Sequence, residues 1–180
     1  MENLAEIERR AARIKLLLMD CDGVLTDGGL MLLENGDEQK TFNVRDGHGL
    51  VLLHRAGLQS GIISGRTSSL VTRRASELGM NLDLVSQGSW DKIKDFETLL
   101  AKAGVSDDEI AFVGDDVTDI PLMHRAEFAI AVADAVPETL AAAHYVTQAR
   151  GGHGAIREVC EIILKAQGHW SRLMERYVGT

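Results

Sequence analysis

Asp20 and Asp22 follow a dense apolar run, Ile14 to Met19, with a single residue between them. Three more polar clusters come later in the chain: Ser64-Gly65-Arg66, Asp91-Lys92, and Gly114-Asp115-Asp116 with Asp119 just beyond. Carboxylates gathered in one place repel, and a pKa among them rises unless a cation intervenes. A hard divalent ion meets that need, and magnesium takes one or two carboxylates together with waters and substrate phosphate. Asp20 beside such an ion could attack phosphorus and form an aspartyl phosphate. Ser64 and Lys92 would hold the equatorial oxygens, where charge spreads in the transition state. Asp22 would protonate the leaving oxygen and later deprotonate the attacking water. Each piece alone has a plainer explanation. Asp-x-Asp is most often a turn or cap, Ser-Gly-Arg a loop, Lys92 a solvated helix residue and Gly-Asp-Asp a turn. The weight lies in their order and placement.

The elements that must position these groups alternate. Strand-like runs cover 14–19, 58–63, 82–85, 109–113, 128–132 and 144–146. Helical patterns cover 3–13, 46–56, 67–78, 89–103, 120–126, 137–143, 154–167 and 169–177. Such alternation predicts an α/β fold, a Rossmann-like doubly wound parallel sheet with helices on both faces. In that architecture ligands bind beyond the carboxyl ends of the strands, where all four clusters fall. Between the first strand and the next helix, Asn35-Gly36 separates two strand-like runs, which predicts a protruding β-hairpin over about 28–44.

A chain of 180 residues suits a single domain spanning 1–180. Its net charge of −8 argues against a general nucleic-acid binder, which needs a basic surface. A phosphorylated small molecule remains compatible, because a metal and a few local cations outweigh the global field. Cys21 and Cys160 form neither a disulfide framework nor a zinc pattern, and read as small buried hydrophobes in a reducing compartment. With no signal-peptide core and no stretch of membrane-spanning length, the expected location is cytoplasmic, with no membrane partner.

Asp20 to Gly28 resembles the first motif of the haloacid dehalogenase superfamily of phosphatases, and Ser64, Lys92 and Gly114 to Asp119 resemble its second, third and fourth. The resemblance implies Asp20 as nucleophile and metal ligand, and Asp22 as acid/base whose backbone carbonyl also binds the metal. It implies Ser64 and Lys92 as phosphoryl-binding groups and Asp115 as a metal ligand. Asp116 and Asp119 would hold metal-bound waters or orient Lys92. Neither inter-motif stretch has room for the cap domain that members usually carry. Together with Phe42 to Gly49, Gln87-Gly88 and Arg150 to Glu158, this is similar to an uncapped, tetrameric branch of sugar phosphatases. That branch implies an eight-carbon sugar-acid phosphate as substrate, Mg2+ as cofactor and a place in lipopolysaccharide precursor synthesis. It also implies a homotetramer whose hairpins meet at its centre and whose subunits help close one another's sites.

Arg45 and Arg66 are candidates for the substrate carboxylate, since arginine binds carboxylates bidentately. Gly151 to Gly154, before a helix, could offer an anion site or be a plain loop. Trp90 is expected to pack on the core or the pocket rim, and the tail from Gly168 to dock on an apolar surface. His48 carries no catalytic expectation. Competing readings are a nine-carbon sugar-acid 9-phosphate as substrate, a phosphoacceptor signalling domain and a non-catalytic assembly domain.

Overall fold

The computed structural model describes residues 3–179. Helix α1 (Leu4–Ala11) is capped by Asn3 and leads into β1 (Leu16–Met19), which is wholly buried. Five more strands join β1: β4 (Gln59–Ser64), β5 (Val85–Gln87), β6 (Ile110–Gly114), β7 (Phe128–Ala131) and β8 (Tyr145–Val146). All pairings are parallel, in the order β5-β4-β1-β6-β7-β8. Leu16 aligns with Gln59 on one side and Ile110 on the other, so β1, β4 and β6 end at nearly the same level. The chain first winds outward from β1 to β4 and β5, then returns to β1's other flank for β6, β7 and β8. The topological switch point therefore lies between β1 and β6, where Asp20 and Asp115 emerge.

Helices cover both faces, as the unbroken burial of β1, β6 and β7 requires. On one face α7 (Ala155–Ala166) packs against α2 (Val44–Arg55) and α1; on the other, α4 (Lys92–Ala103) packs against β4 and α5 (Ile120–Met123). The remaining helices are α3 (Ser69–Glu77), which meets the turn over 82–84, and α6 (Pro137–Ala142), which packs against α5 and β7. Cys21 and Cys160 are free and fully buried, and burial pushes both thiols up, which makes them unreactive packing groups. Among the described residues, no helix is long and apolar enough to cross a membrane.

The hairpin is present but shorter than its sequence pattern suggests. Only β2 (Met31–Leu32) and β3 (Glu38–Gln39) pair, antiparallel, with Met31 opposite Gln39. The turn occupies 33–37, closed by the Leu33 N–H donating to Asp37 O at 2.9 Å, with Gly36 at φ 86°. The second run ends early because Asn43 caps α2, its Oδ1 accepting from the N–H groups of Arg45 and Asp46 at 2.8 and 3.4 Å. A 3-10 turn over Leu82–Leu84 likewise displaces the start of β5 to Val85.

The last helix, α8 (Trp170–Val178), lies on the surface. Trp170 stacks beneath Arg157 and Lys165 at 5.5 and 5.0 Å, and Tyr177 meets the His48 ring edge-on at 5.7 Å. Tyr177 Oη also accepts from Arg55 at 2.7 Å. The tail thus docks on α2 and α7 of its own subunit through aromatic and cationic contacts rather than a buried apolar face. His48 takes part in that docking.

Candidate active site

Three strand ends and one helix start converge on an open cleft of about 700 Å³. Asp20 and Asp22 line it from the end of β1, Ser64 and Arg66 from the end of β4, Lys92 from the start of α4, and Asp115 and Asp116 from the end of β6. Of the nine residues singled out by sequence, the cleft lining takes in all but Arg45 and Asp119. Arg45 is exposed on the first turn of α2 and lies outside the cleft lining, while Asp119 is buried directly behind it.

Lys92 is the centre of the charge arrangement. Its Nζ donates to Asp20 Oδ1 at 2.8 Å and to Asp119 Oδ1 at 2.7 Å. Burial pulls the ammonium's pKa down, but the two carboxylates outweigh it and leave the pKa raised, so Lys92 stays charged. Asp119 Oδ2 accepts from the backbone N–H groups of Asp115 and Asp116 at 3.1 and 3.4 Å. Asp119 therefore fixes both Lys92 and the turn carrying Asp115. Asp116 caps that turn, accepting from the Val117 N–H at 2.7 Å, and its residue is exposed.

Carboxylate oxygens of Asp20, Asp115 and Asp119 all come within 4.8 Å of one another. Burial and the Asp119 charge raise the pKa of Asp20 against the pull of Lys92. Burial, then the charges of Asp20, Asp119 and Asp116, push Asp115 up to about 7. One ammonium does not balance this cluster, and its hard oxygen donors suit a divalent cation. Asp119 belongs to the cluster by distance, but its oxygens already serve Lys92 and two N–H groups. Asp20 and Asp115 are the carboxylates left to hold an ion.

The loop after β1 approaches Asp115 closely. Gly23 has φ 100°, and a Cβ there would stand 2.1 Å from Asp115 Oδ2. The loop is braced from behind by the glycines before α7. A Cβ on Gly151 would lie 1.7 Å from the Gly23 carbonyl oxygen, and the Gly152 N–H donates to Val24 O at 2.9 Å. The start of α7 is meanwhile occupied by Asp46, whose carboxylate accepts from Gly154 N at 3.1 Å and Arg157 N at 2.7 Å. This corrects the anion-site reading of 151–154: the helix N-terminus already holds an internal carboxylate, and the glycines serve close packing. Gly151→Ala should cost at least about 1–3 kcal/mol, the usual penalty for overpacking. Urea unfolding measures it, and activity should fall in parallel because the displaced loop carries Asp22.

Trp90 reaches the rim as expected but is fully exposed rather than packed. Sequence reasoning passed over Lys40 and Glu38, which follow the hairpin turn. Lys40 Nζ pairs with Asp22 Oδ1, and Arg66 Nη2 donates to Glu38 at 2.9 Å. A lysine in a polar loop carries no periodic signal, so nothing in the pattern distinguishes it from a solvated one.

A haloacid dehalogenase-like hydrolase family model matches residues 37–158. The chain belongs to the haloacid dehalogenase-like hydrolases. Within this family it is 43% identical, over 90% of its length and 86% of the relative's, to the 3-deoxy-D-manno-octulosonate 8-phosphate phosphatase of Yersinia pestis. The enzyme of that name from Escherichia coli K12 is 42% identical over 91% of this chain and 86% of its own length. Among solved hydrolase structures, the 3-deoxy-D-manno-octulosonate 8-phosphate phosphatase from Moraxella catarrhalis, in complex with magnesium, phosphate and KDO, superposes with a TM-score of 0.93 at 40% identity. That match covers 97% of this chain and 99% of the Moraxella chain.

Proposed function

We propose that the chain is a magnesium-dependent phosphatase that hydrolyses 3-deoxy-D-manno-octulosonate 8-phosphate through an aspartyl phosphate on Asp20. The observation that carries this reading is the meeting of Asp20, Asp22, Ser64, Lys92 and Asp115 in one open cleft at the switch point. The Yersinia and Moraxella relatives support the choice of substrate, and the magnesium in the Moraxella complex supports the choice of ion.

In this reading Asp20 attacks phosphorus, the ester P–O bond breaks, and the leaving oxygen takes its proton from Asp22. Water then attacks the phosphoryl group, Asp22 receives its proton, and the Asp20–phosphate bond breaks, which regenerates the Asp20 carboxylate and the protonated Asp22 for the next turnover. Ser64 Oγ and Lys92 Nζ hold the phosphoryl oxygens through both steps. Asp119 keeps Lys92 in place. Asp20, Asp115 and the Asp22 backbone carbonyl would hold magnesium, which supplies positive charge to offset the clustered carboxylates and the phosphate. Arg66, which lines the cleft, would be the arginine to meet the sugar carboxylate.

The assembly we propose is a homotetramer in the cytoplasm. Leu30, Met31, Leu32 and Leu33 are all exposed on the hairpin, an apolar patch that association would cover. Replacing Met31 with Asp and Leu32 with Glu should give a folded monomer in sedimentation, with kcat/KM reduced because the cleft loses its neighbour. A tetramer that survives both charges would overturn the hairpin's role in assembly.

Steady-state phosphate release with magnesium, measured in parallel on the eight-carbon 8-phosphate and a nine-carbon nonulosonate 9-phosphate, tests the substrate. The eight-carbon compound should give the higher kcat/KM. A preference for the nine-carbon compound would reassign the substrate and leave the chemistry intact.

A further inference from the structure

We infer that Lys40, carried on the hairpin, is a positioning residue that aims the Asp22 carboxylate into the cleft. The inference rests on Asp22 being the acid/base. Lys40 follows β3 directly, yet its side chain is only 2% exposed, an unusual burial for a loop lysine. Its ammonium sits against Asp22 Oδ1 and stands 4.0 Å from Glu38 Oε1. Glu38 is anchored in turn by Arg66 Nη2 at 2.9 Å, and Arg66 Nε lies 3.9 Å from Asp22 Oδ2. The two Asp22 oxygens thus face two cations, and the closer one comes from the hairpin. Asp20 needs no such device, because Lys92 holds it from the sheet side.

The physical consequence is directional. A carboxylate on a loop has a free χ1, and proton transfer demands that it lie within hydrogen-bond reach of the leaving oxygen. A buried ammonium is a strong restraint, because neither partner gains by turning away from the other. Removing it leaves Asp22 with Arg66 alone, at a distance too long for a hydrogen bond. The hairpin is then more than a partial cover: its seating sets the aim of the group that donates the proton.

Leaving-group dependence separates this role from a merely structural one. p-Nitrophenolate departs without a proton, whereas the alkoxide of benzyl phosphate requires one. In single-turnover experiments with magnesium, Lys40→Met should phosphorylate from benzyl phosphate roughly 30-fold more slowly, part of the 10²–10⁴ that a positioned acid supplies. From p-nitrophenyl phosphate the loss should be less than about threefold, since no proton is needed there. The steady-state loss on benzyl phosphate should appear in kcat and not in KM. Lys40→Arg retains a buried cation and should recover most of the rate, which also covers the case in which Lys40→Met does not fold. Equal slowing on both esters, a loss confined to KM, or an Lys40→Arg variant as selective as Asp22→Asn would overturn the proposal. Asp22→Asn is the reference. If it shows the selectivity and Lys40→Met does not, the positioning role alone fails; if Asp22→Asn shows none, the acid/base reading fails with it.

Discussion

Asp20→Asn should lower magnesium-dependent turnover by on the order of 10⁴-fold or more, the scale seen when a nucleophile is removed from a group acting as a unit. The substitution is nearly isosteric, and the amide oxygen still accepts from Lys92 Nζ, now 2.8 Å from Asp20 Oδ1. Melting should therefore shift by only a few degrees, while kcat collapses. On the proposed assignment of substrate binding to Ser64, Lys92 and Arg66, KM should move little. A variant with a residual rate within tenfold of wild type would mean that water attacks phosphorus directly and that Asp20 is only a ligand.

Asp115→Asn should raise the magnesium concentration for half-maximal activity by roughly 100-fold or more, since an amide replaces a charged oxygen donor in a site with few of them. Stability should respond in the opposite direction. Burial and three neighbouring carboxylates push Asp115 up to about 7, so its charge is uncompensated in the metal-free protein. Removing that charge should raise the melting temperature in chelator. Magnesium should stabilise the wild type, by about 2.7 kcal/mol at a hundred times its dissociation constant, and the variant far less. Thermal melts with and without magnesium measure both effects. A variant that responds to magnesium as the wild type does would remove Asp115 from the ion's ligands.

Asp20, Ser64 and Asp115 were legible because strand ends in a parallel sheet share one rim, and apolar runs such as Ile14 to Met19 mark the strands. The alternation of runs was enough for the sheet and its helices. Less legible was anything decided by distant packing. Asp46 reads as an ordinary residue in a helix start, and only the fold brings its carboxylate onto the N-terminus of α7. Gly151 reads as a loop glycine until the Gly23 carbonyl is seen to lie where its Cβ would be. Lys40 reads as solvated because its burial depends on the hairpin folding back toward Asp22. The hairpin strands themselves are two residues each, too short for a period-2 pattern to bound. Arg45 and Arg66 share a residue type and both are exposed, and only their elements' geometry puts Arg66 on the cleft lining and Arg45 outside it.

The covalent step at Asp20 is tested most directly by rapid quench with phosphate-labelled 3-deoxy-D-manno-octulosonate 8-phosphate and magnesium, followed by borohydride reduction and peptide mapping. The label should appear on the protein within one turnover, and reduction should convert Asp20 alone to homoserine. Phosphate release without any protein-bound label, or label on a residue other than Asp20, would contradict the mechanism.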